Sequence, residues 1–286
     1  MRTPGRNLIL SALLLGAPAH ALAHQFWLAP STYRGAPGRP ITIAAFAGTG
    51  FRGEEKPWSP DHGVRFVVRA ARVLDLTTAA SVGDHAWARF APSDAGGAML
   101  AFESTFTPIQ LPAAAFDRYL DDEGLTEARR ARAHAGLGVP GRERYRRCAK
   151  AWLSGGDASR ATAPLGLPLE IVPGSLPGAS VSLPVTVLRG GRPLRGAKVQ
   201  AWRDAVAASG LPRDASTRDS VGVVWSGRTD PRGRVVVPVR QAGEWLLSVV
   251  DMVPSSNRAE ADWESTWASL TFARVGAAPP SVEAAR

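Results

Sequence analysis

The sequence predicts a mainly β protein, with two β-sandwich-like domains and a small helical insertion in or after the first. Short segments of alternating apolar and polar residues are separated by Gly- and Pro-rich turns, a pattern typical of antiparallel sheets. A stretch rich in Ala, Leu, Glu and Arg follows Pro112, and the alternating pattern returns at Leu169. With 286 residues, of which 45% are hydrophobic, the chain is long enough to bury a core.

The first 23 residues have the features of a secretory signal peptide. Arg2 and Arg6 precede an apolar stretch at 8–17, and the residues at 21–23 fit the rule of small residues before a cleavage site. We therefore expect a periplasmic protein, secreted through a cleaved signal peptide. We expect no membrane span in the mature chain, because no later apolar run reaches the necessary length.

His24 is the first candidate metal ligand, because it becomes the first mature residue if cleavage follows Ala23. A terminal α-amine and the imidazole of the same residue can chelate one ion together, and imidazole suits copper, nickel and zinc. Two other cleavage sites, after residues 19 and 21, would expose His20 or place His24 third. The alternative interpretation of His24 is a polar residue that begins a strand.

The expected N-terminal domain covers residues 24–173. Its predicted strands, most of them followed by a turn signal, lie at 40–47, 64–69, 72–76, 86–90, 98–103 and 105–110. We expect the helices of this domain, near 113–154, to belong to its sheet or to pack against it.

Helical composition predicts two helices, at 113–122 and 126–136. A third helix is predicted from Glu143 to Ser154, where an apolar face at helical spacing would consist of Tyr145, Cys148 and Trp152. Four arginines crowd this segment: Arg142, Arg144, Arg146 and Arg147. We expect them on a solvated helix face, or in ion pairs with the acidic residues at 121–123.

The second expected domain covers residues 174–275 and is an all-β sandwich of about seven strands. Its predicted strands lie at 181–188, 197–202, 222–228, 234–239, 243–250 and 267–274. Residues 203–220 are expected to form a long loop, and the tail at 276–286 to be disordered. We expect at least one of Trp263 and Trp267 to be buried between the two domains.

Several sequence blocks occur in one order along the mature chain: 23–30 with 50–54, 116–120 with 123–125, 141–145, 166–173, and 262–265 with 267–272. Together they resemble the family catalogued as domain of unknown function 4198. The resemblance implies an exported protein, and members are sometimes labelled nickel-uptake components. Residues 229–234 resemble a turn of transthyretin-like and carboxypeptidase-regulatory sandwiches, which implies an Ig/transthyretin-like fold for the second domain.

The resemblance also favours a metal site, because similar proteins tend to begin with His after signal cleavage. Relatives often carry His before a Met-Val-Pro where this chain has Asp251, a harder oxygen donor. His62 and His85 each follow an Asp, which could orient the imidazole, although both pairs are also typical of exposed turns. We therefore expect His24, His62, His85 and Asp251 to bind nickel, cobalt or copper. The protein would be an accessory in metal uptake or delivery, with an inner- or outer-membrane metal transporter as partner.

The sequence carries no enzyme signature and no nucleic-acid element. It lacks the H-E-x-x-H, G-x-S-x-G, Walker and dinucleotide-binding motifs. Its single cysteine excludes an internal disulfide and cysteine-based metal sites. The formal charge of +9 comes almost entirely from dispersed arginines. We therefore expect no catalytic residue and no nucleic-acid partner.

The alternative function is a non-catalytic cell-envelope module that binds a carbohydrate or a partner protein. Nine tryptophans are many for this length, and an exposed subset could stack on sugars. The acidic residues Glu260, Asp262 and Glu264 alternate, so they could bind a cation or be solvated. A tryptophan-lined groove without converging histidines would favour the module, whereas His24 close to His62, His85 or an acidic residue would favour the metal.

Overall fold

The computed structural model describes residues 25–135, 138–174, 181–205 and 219–274. In chain order its strands are β1 Gln25–Pro30, β2 Ile41–Thr49, β3 Arg52–Glu55, β4 Gly63–Arg69, β5 Val73–Asp75, β6 Ala88–Phe90, β7 Ala98–Ser104, β8 Thr107–Leu111, β9 Gly141–Leu153, β10 Leu169–Pro173, β11 Ser182–Arg189, β12 Arg192–Pro193, β13 Lys198–Asp204, β14 Val223–Arg228, β15 Arg234–Pro238, β16 Gly243–Pro254 and β17 Trp263–Arg274. The helices are α1 Ala113–Asp122, α2 Thr126–Ala135 and α3 Ser159–Thr162. The expected mainly β fold class is confirmed.

A nine-stranded sheet, the central sheet, runs through the middle of the molecule. Its strand order is β14-β13-β16-β17-β9-β7-β4-β5, and β8 also pairs with β9. β17 and β9 run parallel, with Trp263 beside Glu143 at one end and Thr271 beside Ala151 at the other. Strands from both expected domains therefore share one sheet. The boundaries of those domains stay a prediction.

Two four-stranded sheets cover opposite faces of the central sheet. The front sheet consists of β1, β2, β3 and β6, and the back sheet of β10, β11, β12 and β15. Aliphatic and aromatic side chains fill both interfaces: Leu28 and Ile43 meet Phe66 and Leu100 at the front, and the back sheet buries a separate cluster. The result is a three-layered β structure with a hydrophobic core on each side of the middle layer.

The helices α1 and α2 confirm the two helices predicted at 113–122 and 126–136. They pack on the central sheet, where their apolar side chains contact Ile109 of β8, Tyr145 of β9, and Val250, Met252, Trp263 and Trp267 of β16 and β17. Both tryptophans are buried, and their expected position between two domains stays a prediction. In the part of the chain that the structure describes, no helix has the length and apolarity that a membrane crossing needs.

The prediction of a third helix from Glu143 to Ser154 is wrong, because the segment up to Leu153 belongs to β9. Its alternate residues face opposite layers of the molecule: Ala149 and Ala151 join the front core, while Cys148 and Trp152 join the back core. A strand that is covered on both faces has apolar residues on both. The spacing of Tyr145, Cys148 and Trp152 therefore imitated a helical face, although these side chains lie on different faces of the sheet.

The arginines of β9 do not pair with the acidic residues at 121–123. Three of their partners lie at or just before the start of β17, in the pairs Arg142–Asp262, Arg144–Glu260 and Arg144–Glu264, at 2.9, 3.0 and 2.6 Å. The acidic residues considered as a cation site are thus neutralised by arginine. The centre of the predicted 203–220 loop and the predicted tail at 276–286 lie outside the described residues.

A buried ion pair joins the central sheet to the back sheet. Lys150 of β9 lies 2.8 Å from Glu170 of β10, and both side chains are about 1% exposed. The lysine also donates to the carbonyl of Ile171. The glutamate accepts hydrogen bonds from three backbone N–H groups, of Leu165, Gly166 and Leu167. Burial lowers the pKa of Lys150, and the charge of Glu170 opposes that shift.

Removing one charge of this pair should destabilise the fold strongly. We expect Lys150→Met to lower the free energy of unfolding by about 3–5 kcal/mol, because it leaves Glu170 ionised and unpaired in the core. Lys150→Met combined with Glu170→Gln should be more stable than Lys150→Met alone, since no charge is then left unpaired. Urea titration of the three proteins measures both differences.

Arg130→Met is the matched control for these variants, because Arg130 pairs with Glu127 at a well-exposed position of α2. Its effect should stay within about 0.5 kcal/mol. Equal stability of Lys150→Met and the control would contradict the importance of the buried pair.

Candidate ligand-binding cleft

An open cleft of about 500 Å³ lies where the front sheet ends beside the β8–β9–β17 part of the central sheet. Its aromatic wall residues are Phe26, Trp87, Phe102, Tyr145 and Trp267. Its ionisable side chains, apart from that tyrosine, are Lys56, His62, Glu143 and Arg147. The cleft thus combines apolar walls with a few polar groups, the usual composition of small-molecule sites.

The floor of the cleft follows from the period of two in β9. Glu143, Tyr145 and Arg147 alternate along the strand, so their side chains lie on one face of the sheet. The parallel register places Trp263, Ser265 and Trp267 of β17 next to these three residues in the same order. Six side chains from two distant parts of the sequence therefore form one surface.

Glu143 is the most unusual group on this surface, because its side chain is a carboxyl only 3% exposed. The hydroxyl of Tyr119, from α1, donates to its Oε1 at 3.2 Å, and the hydroxyl of Ser265 donates to the same oxygen. Burial raises the pKa of Glu143 to about 7, although these two hydrogen bonds and the charge of Arg147 act in the opposite direction. The carboxyl is thus poised between its neutral and ionised forms near neutral pH.

Arg147 brings a positive charge to the cleft wall. Its guanidinium carbon lies 5.6 Å from the ring centre of Phe26 and 5.0 Å from that of Tyr145. Both distances are typical of cation–π contacts. Its backbone N–H donates to Ser104 at 2.9 Å, which fixes the strand beside β7. Burial lowers the pKa of Arg147, and Tyr145 is the main group that opposes this shift.

The aromatic walls are held in place by contacts with one another. Trp87 lies edge-on to Phe102, with ring centres 4.9 Å apart, and its indole N–H donates to the carbonyl of Lys56 at 2.7 Å. On the other side, Tyr119 stacks on Trp267 at 5.8 Å with an angle of 11° between the rings. Side chains locked in this way present a preformed surface to a ligand.

Comparison with known proteins identifies the family. The family model described as "Domain of unknown function (DUF4198)" matches residues 21–252. The chain belongs to the DUF4198 family. No curated protein matches it. Among solved structures, the D0-D1 domain of Intimin shares 10% sequence identity, with 87% of this chain and 97% of that chain covered, at a TM-score of 0.18. A TM-score of that size carries no argument about fold or function.

His24, the first predicted metal ligand of this DUF4198 protein, lies outside the described residues. Of the three predicted ligands that the structure describes, only His62 lines the cleft. The exposed His85 has its Nδ1 3.2 Å from Glu55. Asp251 forms an ion pair with Arg189 at 2.9 Å, and burial raises its pKa. It lies on the opposite face of the sheet, because its neighbours Val250 and Met252 face the helices. Within the described ranges, no group of three or more His, Cys, Asp or Glu side chains could hold a metal ion.

Apart from His62, sequence reasoning missed the cleft residues of the DUF4198 chain. Glu143 and Arg147 were assigned to a helix, which hid their alternation along a strand. One signal was available: the sequence blocks at 116–120, 141–145 and 262–272 on which the resemblance rests supply Tyr119, Glu143, Tyr145, Ser265 and Trp267. Their convergence depends on the long-range pairing of β9 with β17, which no local pattern predicts.

Glu143 should make the stability of the protein depend on pH. Its pKa is about 7 in the folded chain against 4.5 in the reference state, so the folded chain keeps a proton that the unfolded chain loses between these values. The resulting contribution to stability falls as pH rises through this window and is constant above it. Glu143→Gln removes the fall, so its stability relative to the native protein should increase by up to about 3 kcal/mol between pH 4.5 and 7.5.

Urea denaturation at several pH values measures this difference. Glu123, whose pKa burial also raises to about 7, is present in both proteins and cancels. The control is Glu127→Gln, at an exposed position of α2, which should follow the native profile. A Glu143→Gln profile parallel to that of the native protein would contradict the assigned pKa.

Proposed function

We propose that this protein is a non-catalytic binding module of the cell envelope, and that its cleft holds a small organic ligand of about the size of a simple carbohydrate. The observation that carries the proposal is the cleft of about 500 Å³ with preformed aromatic walls and polar groups at its floor. Cavities of this size and composition are the usual sites of small ligands. The envelope location rests on the signal-peptide features of residues 1–23.

The polar groups at the floor support binding more than catalysis. The hydroxyls of Tyr119 and Ser265 both donate to one oxygen of Glu143. These hydrogen bonds hold the carboxyl in one orientation, as a recognition group requires. The aromatic rings around it supply the area on which a sugar ring or another flat apolar surface packs.

Filling the cleft should abolish binding of a neutral apolar probe. N-phenyl-1-naphthylamine, whose fluorescence rises in apolar surroundings, should bind one site in the native protein. Thr107 lines the cleft, so the bulkier side chain of Thr107→Trp should weaken probe binding at least tenfold, equivalent to about 1.4 kcal/mol. Fluorescence titration measures both dissociation constants.

The matched control is Val236→Trp, which adds the same ring at a position 57% exposed on the back sheet. It should bind the probe as the native protein does. Probe affinity that Thr107→Trp leaves unchanged would contradict the assignment of the cleft as the binding site.

A second candidate function is the binding and delivery of nickel, cobalt or copper to a membrane transporter. One observation favours it: His62 lines the same cleft as Phe26, which follows His24 by two residues in the sequence. In this proposal the α-amine and imidazole of His24 chelate the ion, and His62 adds a further nitrogen.

Blocking the N-terminal amine separates the two candidates. Mature protein that begins at His24 should bind Cu(II) or Ni(II) at least tenfold more tightly than a variant with one residue added before it, because an amide is a very poor ligand. Affinity should fall at low pH, since protons compete for both donors. Calorimetry measures the constants. His24→Ala should behave like the extended protein and His134→Ala like the native one. Equal affinities of the native and extended proteins would remove the metal candidate.

A further inference from the structure

One oxygen of the buried Glu143 carboxyl has no hydrogen bond. Both hydroxyl donors, Tyr119 and Ser265, bind Oε1, and Oε2 receives no hydrogen bond from any residue in the described ranges. The side chain is only 3% exposed and lines the cleft. Oε2 is not among the fully buried atoms that lack a hydrogen-bond partner, so it is accessible from the cleft. A polar group of a ligand in the cleft can therefore pair with Oε2.

The charges around the cleft indicate the sign of that ligand group. The basic side chains that line it are Lys56, His62 and Arg147, and Glu143 is the one acidic side chain among the lining residues that the structure describes. Lys56 forms an ion pair with Glu54 at 2.8 Å, and Arg147 lies against the aromatic wall. Apolar walls reduce screening by water, so this balance favours an anionic group.

We propose that the ligand is an organic carboxylate, whose acid group lies at the cleft floor between Oε2 of Glu143 and the guanidinium of Arg147, with its apolar body against Trp87 and Trp267. This inference rests on the proposed binding function and names its ligand class. Neutral Glu143 donates its proton at Oε2 to the ligand carboxylate, and Arg147 supplies the opposite charge. The aromatic rings bury the rest of the ligand.

The required proton makes binding depend on pH. Since the pKa of Glu143 is about 7, its donor form is lost as pH rises past this value, and an ionised Glu143 repels a carboxylate. The other charged or titratable groups facing it are Tyr145 and Arg147 on its own strand, Tyr119 on α1, and His62 and Lys56 at the cleft. A variant that removes the His62 imidazole therefore accompanies the Glu143 variant in the experiment.

Two probes of equal size, 2-naphthoate and neutral 2-naphthamide, test the proposal by calorimetry on the mature chain at pH 6 and pH 8. The native protein should bind naphthoate at least tenfold more tightly than naphthamide at pH 6, and should lose most of this preference at pH 8. Arg147→Met should weaken naphthoate at least tenfold and leave naphthamide nearly unchanged. Glu143→Gln keeps an N–H donor, so it should bind naphthoate at both pH values with little difference.

His62→Gln should keep the pH dependence, and His85→Gln, at an exposed position that is not among the lining residues of the cleft, should bind as the native protein does. Equal binding of the two probes would overturn the carboxylate inference and leave the binding function in place. A pH dependence that survives in Glu143→Gln and disappears in His62→Gln would overturn the role of Glu143. Failure of both probes to bind, or binding that Thr107→Trp does not weaken, would overturn the proposed function itself.

Discussion

The parallel pairing of β9 with β17 is the constraint on which the rest of the structure depends. It joins strands that are 120 residues apart in the sequence and runs over nine residue pairs, from Glu143 beside Trp263 to Ala151 beside Thr271. The two faces of both strands have different neighbours, so a slip of one residue would turn every side chain to the wrong face. The register of this single pair therefore determines which residues meet in the core, in the ion pairs and in the cleft.

The two faces of this ladder have opposite chemistry. On one face, arginines of β9 meet acidic residues at the start of β17, as in the pair Arg144–Glu264 at 2.6 Å; further along β9, Lys150 pairs with Glu170. On the other face, Glu143 is buried beside tyrosine, serine and tryptophan. The paired face fixes the register, and the fixed register holds a buried carboxyl in place on the other face.

Local patterns predicted most elements of the fold, because a strand or helix of this chain is specified by neighbours in the sequence. Strands such as β4, β7 and β14, and the helices α1 and α2, begin and end close to the predicted residues. The helix predicted at the position of β9 was wrong, because the second half of this strand is covered on both faces and lacks the alternation of a half-exposed strand. The cleft was not predictable in the same way, since Phe26, His62, Trp87, Glu143 and Trp267 come from five separate segments.

The residues predicted to bind a metal show the same limit of local sequence patterns. His85 and Asp251 have the right chemistry for a metal, but their partners Glu55 and Arg189 are brought to them by the fold. Conversely, Glu143 lies among four arginines in the sequence, which suggests a solvated ion pair and not a buried carboxyl. The type of a residue states what it can bind, and the pairing of distant strands decides which partner it meets.

Two buried carboxyl groups, those of Glu170 and Glu143, differ in the hydrogen-bond partners that the protein gives them. Glu170 is about 1% exposed, and it is matched by Lys150 and three backbone N–H groups. Glu143 is almost equally buried, yet its Oε2 accepts no hydrogen bond from the described residues. Oε2 of Glu143 is instead open to the cleft, so a bound ligand can supply the partner that the protein itself supplies to Glu170.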